Sequence, residues 1–192
     1  MKWVRSPKQA NLGKGLITGL VGGLVGAFVM TGFQSLMTKL SSNESQSEGS
    51  KPSGGDQQQD ERLSEVNASE DSEDSEPSTE KAASAISERV FHHKLTEKEK
   101  GIAGEALHYA MGATSGALYG MTAEFAPEAA AGRGLLFGTA LWLIADEAVV
   151  PAVGLSKTPA EYPLSKHAYA LASHLVYGFS TDFCGRVVRK ML

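Results

Sequence analysis

At 192 residues, with 22 Asp/Glu against 18 Lys/Arg and a single cysteine, the chain has the length of one ordinary domain and a net charge of −4. One thiol, Cys184, excludes an internal disulfide and a multi-cysteine metal site, and the overall charge excludes a broadly basic nucleic-acid binder. The average hides a partition. Twelve Asp/Glu and two Lys/Arg fall within Ser41–Glu80, a net of −10, so the rest of the chain carries +6. An acidic polar tract interrupts a basic, apolar, glycine-rich chain.

The first element is Gly15–Phe33, nineteen residues without a charge, preceded by Lys2, Arg5, Lys8 and Lys14. It exceeds the 7–15 residues of a signal-peptide core, and no small-residue cleavage pattern follows, so it reads as an uncleaved spanning helix. Gly15, Gly19 and Gly23 recur every four residues, a spacing that lets a second helix approach closely in lipid. Ser41–Glu80 is rich in Ser, Glu, Asp, Gln and Gly, buries too little apolar surface to offset its chain entropy, and is expected to be a disordered acidic linker.

Order is expected to resume at Lys81. Ala82, Ile86, Val90, Phe91 and Leu95 recur at roughly helical spacing, which predicts an amphipathic helix over 81–100 lying at a membrane interface. His92 and His93 point about 100° apart on a helix with no third ligand spaced nearby, so no metal is assigned. Thr96-Glu97-Lys98-Glu99 has the form of a capping box and should start the next helix.

That helix is Gly101–Phe125. Glu105, His108, Gly112, Ser115 and Tyr119 share one face, and Gly112, Gly116 and Gly120 form a small-residue row beside it. Pro127 ends it, and a turn closing at Arg133 leads to Gly134–Leu155. This third segment is long enough to span, yet carries Asp146 and Glu147 at its centre and Pro151 one turn on. Each acid there costs about 2.5–3.5 kcal/mol on insertion scales, so the pair must be functional or held by partners. After an irregular connection with Pro159 and Pro163, the last helix runs His167–Val188, with His167, His174, Tyr177 and Thr181 on one face.

Four spans put both termini on one side, and the Lys/Arg bias makes that side cytoplasmic. Counting helical rise inward from the outer ends places Glu105, His108, Asp146, Glu147 and His174 at one depth, and with Tyr177 they make up the expected buried polar layer. Mutual pairing, with carboxylates accepting from imidazoles and from Tyr, would lower the cost of burying them. Such a layer either fixes helix register or handles protons or cations. Ser115–Thr122, SGALYGMT, is also similar to Ser173–Ser180, SHLVYGFS. A duplicated helix hairpin is one reading and chance similarity of short apolar strings is the other.

GALYG in the second helix, FGTALWLIADEAVVPAVGL in the third and YPLSKHAYALASHLVYG in the fourth resemble the YagU-like family of uncharacterised bacterial inner-membrane proteins. The resemblance covers about Gly13 to Val188 without the acidic tract. It implies a small helical bundle in a bacterial inner membrane and no known activity.

The expected fold is therefore all-α: a multi-pass membrane protein of four transmembrane helices in a small bundle, with a long disordered acidic loop between the first two. Residues 1–40 hold the basic N-terminus and first span, 41–80 the linker, 81–100 the interfacial helix, and 101–192 the other three spans. No P-loop, nucleotide fingerprint or zinc pattern is present, so no catalytic residue, metal or cofactor is expected. The expected partners are the lipid bilayer and further copies of the chain, with no nucleic acid and no identified small-molecule substrate. The functional expectation is a structural or stress-related membrane accessory protein, with a small proton- or cation-linked transporter as the alternative.

Overall fold

The computed structural model describes residues 11–48, 76–130 and 132–192, and among these every regular element is helical. Five long elements follow in order. α1 is Leu12–Glu48, α2 Ser78–Ile86, α3 Glu97–Phe125, α4 Leu135–Ala152 and α5 Leu164–Met191. Short 3-10 turns, Pro127–Ala130 and Pro159–Glu161, precede α4 and α5. α4 is α-helical over Leu135–Ile144, widens to a π-helix over Ala145–Val149, and closes with Val150–Ala152.

Two compact units emerge, one of residues 1–34 with 105–192 and one of residues 35–104. Composition alone suggested boundaries at 40, 80 and 100. The central part of the acidic tract, residues 49–75, lies outside the described residues. Its two ends are helical, which corrects the linker's limits. No Gly or Pro falls between Gln34 and Glu48, so nothing in the chain stops α1 before Gly49. Pro77 stands at the N-cap of α2 with φ −56°, where its missing N–H removes no helical bond.

In the unit of residues 35–104, α2 turns Ala83 inward and runs into a π-helix, Ser87–Phe91, whose Ser87 is also buried. The apolar row of Ile86, Val90 and Phe91 faces outward, with Phe91 72% exposed. His92 ends this element in the left-handed region, φ 53°. The Glu99 carboxylate accepts from the Thr96 N–H and hydroxyl, both at 2.8 Å, and α3 starts at the next residue after Thr96.

The other unit packs α1, α3, α4 and α5 with small residues at every crossing. α1 and α3 run antiparallel. A methyl placed on Gly15 would lie 2.7 Å from the Gly120 carbonyl oxygen, and one on Gly19 or Gly23 would strike the Gly116 or Gly112 carbonyl. α5 crosses α1 at Gly22 and Gly26 and α4 at Gly134 and Gly138. Ala27, Met30 and Tyr177 form the apolar core, with Tyr109, Phe137 and Leu141 against it. The large apolar side chains point the other way: Leu16, Leu20, Leu24 and Phe28 of α1, Leu136 and Ile144 of α4, and Phe179 and Phe183 of α5 are exposed. Among the described residues, α1 over Leu12–Leu40 and α4 over Leu135–Ala152 are long and apolar enough to cross a membrane. α3 and α5 are as long but carry more polar residues, of which Glu124, Ser173, His174, Thr181 and Asp182 are buried.

Candidate functional site

The inward face of α5 gathers the bundle's polar groups. Ser173, His174, Tyr177, Gly178, Thr181 and Asp182 are all buried there, at the i, i+3, i+4 spacing of one helical face. Along this face His174 and Gly178 lie against α4, while Tyr177 and Asp182 bond to α3.

Toward the start of α5, two imidazoles meet the acids of α4. His174 Nδ1 lies 3.5 Å from Asp146 Oδ2 and 3.0 Å from its own helix's Ala170 carbonyl. His167 Nδ1 lies 2.6 Å from Glu147 Oε1, while its Nε2 reaches the Pro159 carbonyl at 2.9 Å. Both ring nitrogens of His167 are thus engaged. Asp146 and Glu147 sit in the π-helical turn, whose extra residue changes the directions in which successive side chains leave the backbone.

The sequence-predicted residues of α3 join this arrangement unevenly. His108 is half-buried in an edge-on ring contact with Tyr109, and its buried Nε2 makes no hydrogen bond among the described residues. Glu105 is exposed and reaches His108 only through its charge. Tyr177 does not serve the acids, contrary to expectation. Its hydroxyl donates to the Gly112 carbonyl at 2.7 Å and meets Ser115 Oγ at 2.9 Å. The geometry explains this: Gly112 has no side chain to shield its carbonyl, so the phenol reaches it first. The six glycines singled out by spacing, Gly15, Gly19 and Gly23 with Gly112, Gly116 and Gly120, all lie at the α1–α3 crossing.

Sequence reasoning missed a second group of pairs at the opposite end of the bundle, where α1 begins and α3 and α5 end. Glu124 is 1% exposed and forms an ion pair with Arg189, whose Nη2 is 3.0 Å from Oε2. The Asn11 N–H also donates to Glu124, at 3.3 Å. Asp182, 5% exposed, accepts from Arg186 Nε at 2.7 Å and from the Tyr119 hydroxyl at 2.8 Å. Arg186 Nη2 donates to the Ala130 carbonyl at 3.2 Å. These residues border a cavity of about 210 Å³. A usable signal existed: Gly112, Gly116, Gly120 and Glu124 form one row at i, i+4 spacing, as do Gly178 and Asp182. The arginines at the end of α5 were read for topology only.

This arrangement defines a class: a glycine-packed helical bundle with apolar, span-length helices and its ionisable groups turned to the inside. The chain belongs to the family described as protein of unknown function DUF1440, whose model matches residues 71–183, more than half of the chain. The match takes in α3, α4 and α5 as far as Phe183, hence Glu124, Asp146, Glu147, His167, His174 and Asp182. It includes neither α1 nor Arg186 and Arg189. No curated protein and no solved structure matches the chain.

Proposed function

We propose that this chain is an integral membrane protein in which α1, α3, α4 and α5 all span, and that its role is that of a structural membrane accessory protein. The supporting observation is the inverted distribution of side chains. Gly, Ser, Thr, His, Asp and Glu face the interior, while Leu, Phe, Ile and Val face out along α1, α4 and α5. In water that pattern exposes apolar surface and buries charge, two unfavourable terms at once. In lipid the outward residues match the solvent, and close backbone approach at glycines supplies helix association. The polar groups are then held by one another, as ionisable residues at membrane depth must be.

The resemblance to YagU-like proteins and the basic ends support a reading in which the chain lies in a bacterial inner membrane with cytoplasmic termini. The bilayer is the partner, and self-association of the chain is part of the proposal. A non-catalytic role is part of the proposal; among the described residues the interior carboxylates stand beside basic side chains, Asp146 by His174, Glu147 by His167, Glu124 by Arg189 and Asp182 by Arg186.

Topology is tested by replacing Cys184 and placing single cysteines at Ser6, Thr96, Arg133, Lys157 and the C-terminus, then labelling intact cells with an impermeant thiol reagent. Four spans give labelling at 96 and 157 only. If only α1 and α4 crossed, 96 and 133 would behave alike, and the four-span reading would fail. The structural role predicts no proton or cation flux in reconstituted liposomes above that of empty ones. A pH-driven flux abolished by Asp146→Asn would replace it with a proton-linked transporter.

A further inference from the structure

We infer that the cavity at the α1-start end of the bundle is a binding site for a phosphoethanolamine group. The inference rests on the membrane reading only for the source of that group. Ion pairs whose sole task is to hold helix ends together close on themselves. Here Glu124, Asp182, Arg186, Arg189 and Tyr119 instead border an opening of about 210 Å³. The room exists because the remaining wall is made of small residues, Gly19, Gly120 and Ala123 among them.

The charge in the wall is balanced, with two carboxylates and two guanidinium groups. A lone anion or a lone cation would upset that balance, whereas a zwitterion preserves it. Each guanidinium also retains donors. Arg186 uses Nε and Nη2, and Arg189 uses Nη1 and Nη2, so Arg186 Nη1 and Arg189 Nε take part in none of these bonds. Such donors suit a phosphate. The Asp182 carboxylate, which accepts one bond on each oxygen from Tyr119 and Arg186, can also accept from an ammonium. The volume falls below the roughly 300–1,000 Å³ of drug-sized sites, which suits a headgroup of a few heavy atoms and excludes a nucleotide.

Phosphoethanolamine can arrive on a phospholipid or as a free solute, and the test separates the two. Full-length protein in mild detergent is titrated calorimetrically with dihexanoyl phosphatidylethanolamine, dihexanoyl phosphatidylglycerol and O-phosphoethanolamine. Saturable binding of the ethanolamine lipid, with the glycerol lipid weaker by about tenfold or more, is the expected result. Binding of O-phosphoethanolamine as tight as that of the lipid would keep the chemistry and make a solute the ligand, even if the topology experiment failed. Equal binding of both lipids, or no binding of either ethanolamine compound, would overturn the assignment and leave the four charges as packing pairs. Ala123→Leu fills the cavity without touching a charge and should cut affinity about tenfold while elution and melting stay unchanged. Arg186→Gln, at a half-exposed side chain, gives a second variant with the same expected loss. Unchanged affinity in both folded variants would place the binding elsewhere and end the proposal.

Discussion

Gly120 lies against the Gly15 carbonyl and the backbone of Gly19; Gly178 lies against the Gly134 carbonyl and the backbone of Gly138. In each case a tyrosine precedes the glycine, Tyr119 or Tyr177, and a buried acid follows one turn later, Glu124 or Asp182. The pairs α1–α3 and α4–α5 are thus two copies of one arrangement, and the similarity of SGALYGMT to SHLVYGFS extends into matched contacts. The copies differ one to two turns further along. There the first pair continues as a glycine crossing, Gly23 on Gly112. At the same count along the second pair stand Trp142 and Ala170, with Asp146 and His174 where the first has Ala27 and Gly116. The second copy has exchanged close backbone packing for imidazole–carboxylate pairs on a π-helical turn. The two helix pairs share the glycine contact, and the imidazole–carboxylate pairs of α4 and α5 set the second apart.

The two buried acids offer the sharpest way to break the equivalence. Arg189→Met removes the Arg189 guanidinium from Glu124, which is almost fully buried. Loss of one partner from a buried pair costs about 3–5 kcal/mol, and the part-exposed Arg189 places this case toward the lower end. Arg186→Met should cost only about 1 kcal/mol, since Arg186 is 53% exposed and Asp182 keeps the Tyr119 hydroxyl. Unfolding free energies of the two variants in mild detergent check this. Equal losses would mean that the acids sit in equivalent surroundings after all.

Next in size is the glycine contact common to both copies. Gly120→Ala and Gly178→Ala should each cost about 1–3 kcal/mol, because the added methyl meets backbone that cannot move aside. Gly32, with nothing within 4 Å of a methyl at its position, is the control, and Gly32→Ala should be neutral or stabilising by about 0.5–1 kcal/mol. A neutral Gly178→Ala would show that the second crossing is looser than the first.

Much of the packing was legible because it depends on one-dimensional spacing. Glycines at i, i+4, and Glu105, His108, Gly112, Ser115 and Tyr119 at helical spacing, mark a face without knowledge of its partner. The polar contacts were less legible. His167 was placed at the outer end of α5 and Glu147 eight residues inside α4, yet they meet at 2.6 Å. Depth counting depends on where the helices end: α4 stops at Ala152, short of Leu155, and α5 already starts at Leu164, ahead of His167, so the two side chains lie closer in depth than the sequence count gave. Glu124 and Asp182 escaped notice because charges near helix ends are ordinarily solvated.

The polar layer itself is tested by coupling. Asp146→Asn and His174→Ala should fail to add, with an interaction of about 0.5–3 kcal/mol, and Glu147→Gln with His167→Ala likewise. Introducing Ala27→Asp into the first copy should gain nothing from a histidine at Gly116, because the α1–α3 backbones are too close to admit a ring. Additivity within about 0.3–0.5 kcal/mol in the Asp146–His174 cycle would remove the feature that distinguishes the second half.

The smallest effect concerns two capping boxes, one at the start of α3 and one at the Pro159–Glu161 turn that precedes α5. Thr96 N–H and hydroxyl donate to Glu99 ahead of α3, and Thr158 N–H and hydroxyl donate to Glu161 ahead of α5, at 2.6–2.8 Å. At the first of these the Thr96 backbone bond, then its hydroxyl, hold the Glu99 carboxyl below its ordinary value near 4.5. A lowered folded pKa means that the contribution is complete above 4.5 and disappears as pH falls through the folded value. Lys100 runs the other way. Its bond to Glu97 raises its pKa above 10.5, so its contribution is complete below that and disappears as pH rises further. The start of α3 should therefore be held best between these limits. Carbon-13 NMR of the Glu99 carboxyl in detergent should give a titration midpoint below 4.5, moving upward in Thr96→Val, which removes the hydroxyl and keeps the backbone donor. A midpoint at the ordinary value in the native chain would mean that this box does not form in solution.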